Sequence, residues 1–180
     1  LPARKFRLAD DGRHPQLEGV PLVINPFDQN ALELALQLKD AGAADTVTAI
    51  SCGGPGCMDA LRKALALRAD RAVHVLWEGP QEPDPQVLAQ VLAAAIRRLD
   101  PVHLVLAGRQ AGDWDHGQVG YLVAEHLGWP CAALVQRLQA EAGGLRLVRE
   151  APGGREVLEA QVPLLATVTN DDANSLRLPK

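Results

Sequence analysis

The sequence predicts an α/β fold: a parallel sheet with helices on both faces, followed near the C-terminus by a small antiparallel extension. Three observations predict it. Short apolar or β-branched runs alternate with segments at helical spacing through residue 127, and no hairpin signal separates them. Hydrophobic residues make up 47% of the chain but aromatics only 3%, so Leu, Val and Ala must build the core, as suits helices packed on buried parallel strands. After Pro130 the style changes to strand-like runs divided by glycine-rich breaks. A length of 180 residues suits one domain, expected over residues 1–180.

The elements follow in order. PLVI (21–24) reads as a strand or extended lead-in, closed by Asn25 and Pro26. FDQNALELALQLKDAG places Ala31, Leu34, Ala35 and Leu38 at helical spacing and ends at Gly42. TVTAISC (46–52) is a β-branched run and reads as a strand. GGPG breaks it, and CMDALRKALALRAD resumes helical spacing with Met58, Leu61 and Leu65. RAVHVLW (71–77) is the next strand. A proline-rich loop follows, with Pro85 suited to a first helical turn, and the helix VLAQVLAAAIRRL carries Val87, Val91, Ala95 and Leu99 on one face. HLVLAG (103–108) is a buried-type strand, and roughly 118–127 is a helix. AALVQRLQ, GLRLVRE and REVLEAQV form the antiparallel part, with hairpin breaks at AEAGG and APGGR, and LLATVT closes the pattern.

Composition removes several function classes. The net charge is −4 with both signs mixed along the chain, which favours neither nucleic acid nor an anionic membrane surface. No uninterrupted apolar run approaches the roughly 20 residues of a membrane span. LPARKFRLADDG has no apolar core of the kind a signal peptide needs. Cys52, Cys57 and Cys131 are an odd number and read as reduced thiols, not a disulfide framework, and their spacing lacks the histidines of a metal site. A cytoplasmic location is expected.

In an open α/β sheet, ligands bind beyond the carboxyl ends of the strands. Three loops leave strand ends on that edge: NPFD (25–28), SCGGPG (51–56) and GRQAGDWDHGQVG (108–120). Each precedes a helix, whose first N–H groups are expected to point outward unpaired. An anion placed there gains typically about 0.3–1 kcal/mol. Arg109 suits a charge-assisted contact to phosphate. Asp113 and Asp115 would repel a phosphate; they suit ribose hydroxyls, and equally suit turn and cap positions. Gln118 suits a phosphate, a ribose or a solvated helix start, and Trp114 and His116 either line the pocket or cover the loop. SCGGPG is similar to the Ser-Gly-Gly phosphate loop of ATP pyrophosphatases, but Pro55 and Gly56 stand where that loop needs Asp-Ser. No dinucleotide glycine fingerprint or Walker lysine motif is present, and no nucleophile–base pair can be assigned. The residues suggest binding without catalysis.

At these same loops the chain resembles the electron transfer flavoprotein beta subunit family. VINPFDQNALELALQLKD resembles that family's Asn-Pro-Phe segment, and AISCGGPGCMDALRKALALRADRAVHV its second loop and helix. LAGRQAGDWDHGQVGYLVAEHLGWP resembles its Gly-Lys/Arg-Gln-Ala-x-Asp-x-Asp-x-x-Gln-Thr/Val-Gly signature, and the similarity runs on through REVLEAQVPLLATVT. The resemblance implies a three-layer αβα sheet of the adenine-nucleotide-binding (HUP-like) type. It implies AMP along Asn25, Pro26, Phe27, Asp28 and Cys52. Its phosphate and ribose loop would include Arg109, Gln110, Ala111, Asp113, Asp115, Gln118, Val119 and Gly120. It further implies an alpha subunit carrying the redox FAD, and electron transfer from a dehydrogenase to an acceptor. Val119 stands where many AMP-binding members have Thr, and the Gln-Val-Gly form is closer to the bifurcating branch, which binds FAD at this site.

Three departures qualify the expectation. The family opens with a β-strand that lies centrally in the sheet, and this sequence starts just after it; such a strand is expected in the natural protein. NDDANSLRLP occupies the family's partner-recognition loop but lacks its Pro-Arg, which puts docking to the usual dehydrogenases in doubt. The family's C-terminal arm, which wraps the alpha subunit, is absent from the sequence after Lys180. The rival from another class is a free-standing nucleotide sensor of the universal-stress type; those proteins carry a late glycine-rich phosphate loop, and none of the right form follows residue 120. A structural homologue with an empty site is disfavoured by Asp113, Asp115 and Gln118.

Overall fold

A computed structural model describes residues 7–8, 10, 12–13, 16, 22–79, 83–99 and 101–178. Helix α1 (Pro26–Asp40) begins at Asn25, whose Oδ1 accepts from the Phe27 N–H, with Pro26 as its first residue. Strand β1 (Thr48–Gly53), helix α2 (Cys57–Ala66) and strand β2 (Arg71–Leu76) follow. Helix α3 (Pro85–Ile96) is capped by Asp84, which accepts from the N–H groups of Gln86 and Val87. Strand β3 (Leu104–Gly108) leads through the 109–118 loop into α4 (Val119–Leu127), which stops at left-handed Gly128. Strands β4 (Cys131–Glu141), β5 (Gly144–Ala151) and β6 (Gly154–Ala160) form two hairpins with two-residue turns, and β7 (Leu164–Val168) is the last strand along the chain.

The parallel strands fall into two blocks. β1 pairs with β2, while a five-stranded sheet runs β3-β7-β4-β5-β6, parallel through β3, β7 and β4 and antiparallel beyond. Alternation along β7 shows the layering. Leu164 and Ala166 pack into a core shared with Leu38 of α1, and Val168 joins Ala31 and Leu34; Leu165, on the opposite face, meets Ala93 of α3 and Val123 of α4. In the other block, Leu36 of α1 shares a core with Ala64 of α2 and Ala49 of β1, whereas Ile50 turns to the α3–α4 side. The fold is therefore a three-layer α/β arrangement with a mixed, partly antiparallel sheet.

Of the two readings of 21–24, the lead-in holds: residues 22–24 run without regular structure into the Asn25 cap, and residue 21 lies outside the described residues. Three sequence expectations change. On α2, Leu61 and Ala64 are buried while Met58 and Leu65 are exposed, because the short helix leans on β1 and β2 through its narrow alanine side. On α3 the buried face is Ala89, Ala93 and Ile96, and Val87, Val91, Ala95 and Leu99 are only half-buried. That helix is apolar nearly all round, so size decides: alanines permit the closest approach to α4. On α1, Ala35 is half-buried, and Leu36 lies deeper.

The 172–178 segment is tied to α1. Arg177 grips buried Glu33 with Nε to Oε2 at 3.0 Å and Nη2 to Oε1 at 2.8 Å, and reaches Asp40 with Nη1 at 2.8 Å. The Glu33 carboxylate raises the guanidinium's pKa above its ordinary value.

Candidate functional site

The N-terminus of α1 and the loop after β3 are locked together by side chains far apart in sequence. Asn25 Nδ2 donates to Asp28 Oδ2 at 2.7 Å and to the Gln110 carbonyl at 2.8 Å. Asp28 Oδ1 accepts from the Gly108 N–H at 2.6 Å. A Cβ at Gly108 would stand 2.8 Å from Asp28 Oδ1 and 2.9 Å from the Asp28 nitrogen, so this close approach requires glycine. Enclosure raises the Asp28 carboxyl pKa, and the two donors only partly offset that burial cost.

Arg109 follows directly. Its guanidinium carbon lies 4.6 Å from the centre of the Phe27 ring, and Nη1 donates to Thr169 Oγ1 at 3.3 Å. Its Nε is buried and has no hydrogen-bond partner. A buried guanidinium N–H without an acceptor is rare and suits an anionic or polar ligand. The loop then closes on itself. The Ala111 N–H donates to the His116 carbonyl at 3.0 Å, and Gln110 Nε2 donates to Asp115 Oδ1 at 2.6 Å, with Asp115 held at a left-handed φ of 55°. Asp113, Trp114, Asp115, His116 and Gln118 are exposed around the closed loop; Asp113 Oδ1 accepts from the Trp114 N–H.

The three helix starts differ, which corrects the expectation that all offer free N–H groups. The Phe27 N–H is taken by Asn25. On α2, the N–H groups of Cys57, Met58 and Asp59 bond back to the carbonyls of Gly54, Pro55 and Gly56 at 3.1–3.2 Å. GGPG is thus a tightening turn that uses up the donors it precedes. Helix α4 has no side-chain cap at Gln118, and the N–H groups of Val119, Gly120 and Tyr121 find no acceptor outside the helix among the described residues. Gly120 is buried with Thr167 Cγ2 2.7 Å from where its Cβ would be, so it sets how near α4 approaches β7. Val119 packs its side chain into the α3–α4 core.

The structure therefore gathers Asn25, Phe27, Asp28, Arg109 and Gln110 into one bonded junction, with Pro26 and Ala111 in its backbone. Cys52 stands apart. It pairs with Val75 in the β1–β2 ladder, and its thiol pKa is raised by burial and by neighbouring Cys57. The SCGGPG loop meets the segment before α1 through Leu22, which packs on Gly56. Thr169, 2% exposed and just past β7, is a residue of this junction that loop reading missed; the alternation of Thr167 and Thr169 in the apolar run LLATVT was the available signal. Thr167 Oγ1 accepts from the N–H of Leu134, whose left-handed φ of 56° marks a bulge in β4. Among the described residues no group of His, Cys, Asp or Glu could hold a metal ion, and no helix is long and apolar enough to cross a membrane.

Residues 17–178 match the family model of the electron transfer flavoprotein domain. The electron transfer flavoprotein subunit beta of Clostridium acetobutylicum is 42% identical over 154 residues, covering 86% of this chain and 59% of the relative. The human subunit beta is 36% identical over 168 residues, covering 92% and 65%. The caffeyl-CoA reductase–Etf complex subunit CarD of Acetobacterium woodii is 38% identical over 154 residues, with 86% and 59% covered. The chain thus spans roughly three fifths to two thirds of the length of these relatives.

Proposed function

The chain belongs to the electron transfer flavoprotein beta subunit family, and on that premise we propose that it is a nucleotide-binding scaffold without catalytic residues of its own. It binds AMP where α1 meets the loop after β3. It pairs with an FAD-carrying alpha subunit that passes electrons from a dehydrogenase to an acceptor. The observation that carries this reading is the junction and its loop: a guanidinium with an orphaned buried Nε at one end and an uncapped helix N-terminus at the other. Phosphate would sit against the amides of Val119 to Tyr121, with Arg109 supplying charge. Asp113, Asp115 and Gln118 rim the loop and suit ribose hydroxyls. Asn25, Pro26, Phe27, Asp28, Gln110 and Ala111 shape the adenosine side, and Cys52 contributes from the β1 end. A cytoplasmic, single-domain subunit is the matching proposal for location and organisation.

A second reading places FAD at the same site, as in bifurcating members. Val119 favours it, because the Gln-Val-Gly form resembles that of the bifurcating members. Mass spectrometry of the small molecule released on denaturation, after a visible spectrum, separates the two. AMP from a colourless protein is the expected result. FAD with flavin absorption supports the second reading, and no bound nucleotide with no uptake of either removes both.

A further inference from the structure

Two arginines use the edges of their guanidinium groups differently. Arg177 grips Glu33 with its Nε–Nη2 edge, Nε to Oε2 at 3.0 Å and Nη2 to Oε1 at 2.8 Å. Such a fork matches the two oxygens of a carboxylate or a phosphate. On Arg109 the same edge is unused: Nε is buried without a partner, and Nη2 makes no hydrogen bond among the described residues. Its engaged nitrogen is Nη1, which donates to Thr169 Oγ1 at 3.3 Å, while the Phe27 ring lies 4.6 Å from the guanidinium carbon. The sheet sets this pair in place. The Arg109 N–H bonds the Val168 carbonyl at 2.9 Å and the Thr169 N–H bonds the Val135 carbonyl at 3.0 Å, so both residues extend from neighbouring strand ends. Thr169 is 2% exposed, and among the described residues its hydroxyl has no other partner. The hydroxyl of Thr167, by contrast, accepts from the Leu134 N–H at the β4 bulge.

We propose that Thr169 is a positioning residue for Arg109: by holding Nη1 it turns the Nε–Nη2 edge toward the ligand, so that one phosphate is gripped by two N–H groups at once. The identity of the ligand rests on the nucleotide reading above, and the orientation of the guanidinium rests on the geometry alone. A buried hydroxyl that serves the arginine, and not the backbone, matters only to what that arginine binds. Adenosine without its phosphate offers the edge no oxyanion, so the effect of Thr169 is confined to the phosphate.

Calorimetric titration of the full chain with AMP and with adenosine tests it, together with the Arg109 Nε–H resonance of the ligand-free protein. Circular dichroism confirms that each variant is folded. Thr169→Val keeps the side-chain shape and removes the acceptor. It should weaken AMP binding by about threefold to tenfold, leave adenosine binding unchanged and broaden the Arg109 resonance. Thr169→Ser should restore both AMP affinity and the resonance, and in an Arg109→Ala background Thr169→Val should cause no further loss of AMP affinity. Equal losses for AMP and adenosine would reduce Thr169 to a packing role and overturn the proposal. Unchanged AMP affinity with an unchanged resonance would overturn it too. A wild type that takes up no AMP removes the nucleotide reading instead, and the response of the Arg109 resonance to Thr169→Val then decides the orienting role by itself.

Discussion

The two glycine-rich loops at the strand ends look alike in sequence and do opposite things. SCGGPG closes locally: its carbonyls satisfy the first turn of α2, and its contact with the segment before α1 is the packing of Leu22 on Gly56. The loop after β3 closes at long range, with Gly108 and Gln110 bonded to side chains of α1 some 80 residues earlier, while the helix it introduces keeps its N-terminal donors free. Glycine count does not distinguish a ligand loop from a structural turn. What distinguishes them is where the backbone donors go.

The strongest way to break this comparison is to add one methyl group to each loop. Gly108→Ala drives a Cβ into the carboxylate and backbone of Asp28 and should cost about 2–3 kcal/mol in chemical denaturation. Gly54→Ala meets nothing within 4 Å and should change stability by less than about 0.5 kcal/mol. Equal losses would show that the two loops are built alike.

Removing the hub comes next. Asp28→Ala leaves the Gly108 N–H unpaired and Asn25 short of one acceptor, an expected loss of about 1–3 kcal/mol. The pH dependence has a definite sign. Because the folded state holds the Asp28 proton more tightly, unfolding releases protons, and this contribution falls as pH rises from about 4 through the raised folded value. The slope should vanish in Asp28→Asn, as denaturation midpoints at successive pH values would show.

A smaller effect on stability, but a large one on binding, is expected at Arg109. Arg109→Ala should weaken AMP binding by about tenfold or more in calorimetric titration. Its thermal midpoint should move little, since a cation over one ring contributes about 0.5–1 kcal/mol. Asp115→Ala should likewise weaken AMP binding without unfolding the domain. Unchanged affinity in both variants would remove this loop from the site.

The smallest effect lies outside both loops. Asp70 bonds the Val47 N–H and Lys39, the latter lowering its pKa most, so its contribution is present above about pH 4 and fades as pH falls through the lowered value. The pair is about one-third exposed and screened, so Asp70→Asn should cost less than about 1 kcal/mol, with the opposite pH sign to Asp28.

Much of this was legible in the sequence, for physical reasons. Helical spacing located α1 to α4, β-branched runs located β1 to β3, and the breaks at Ala142–Gly143 and Pro152–Gly153 located the hairpins. Periodicity failed on α3, where an almost wholly apolar helix gives no contrast from which to read a face. At 22–24 it left a strand and a lead-in open, because apolar residues there precede a cap without forming a ladder. In the site, the residue types of the 108–120 loop pointed to a ligand. The roles of Asp28 and Thr169 were not legible, because each is set by a contact with a residue 60 to 80 positions away. Beyond the adenosine contact expected of it, Asp28 is a buried tie that holds the two segments together.

The most direct test is amide hydrogen exchange by nuclear magnetic resonance, with and without AMP. AMP should slow exchange at Val119, Gly120 and Tyr121 and leave Cys57, Met58 and Asp59 unchanged. Protection at the start of α2 with none at the start of α4 would contradict it.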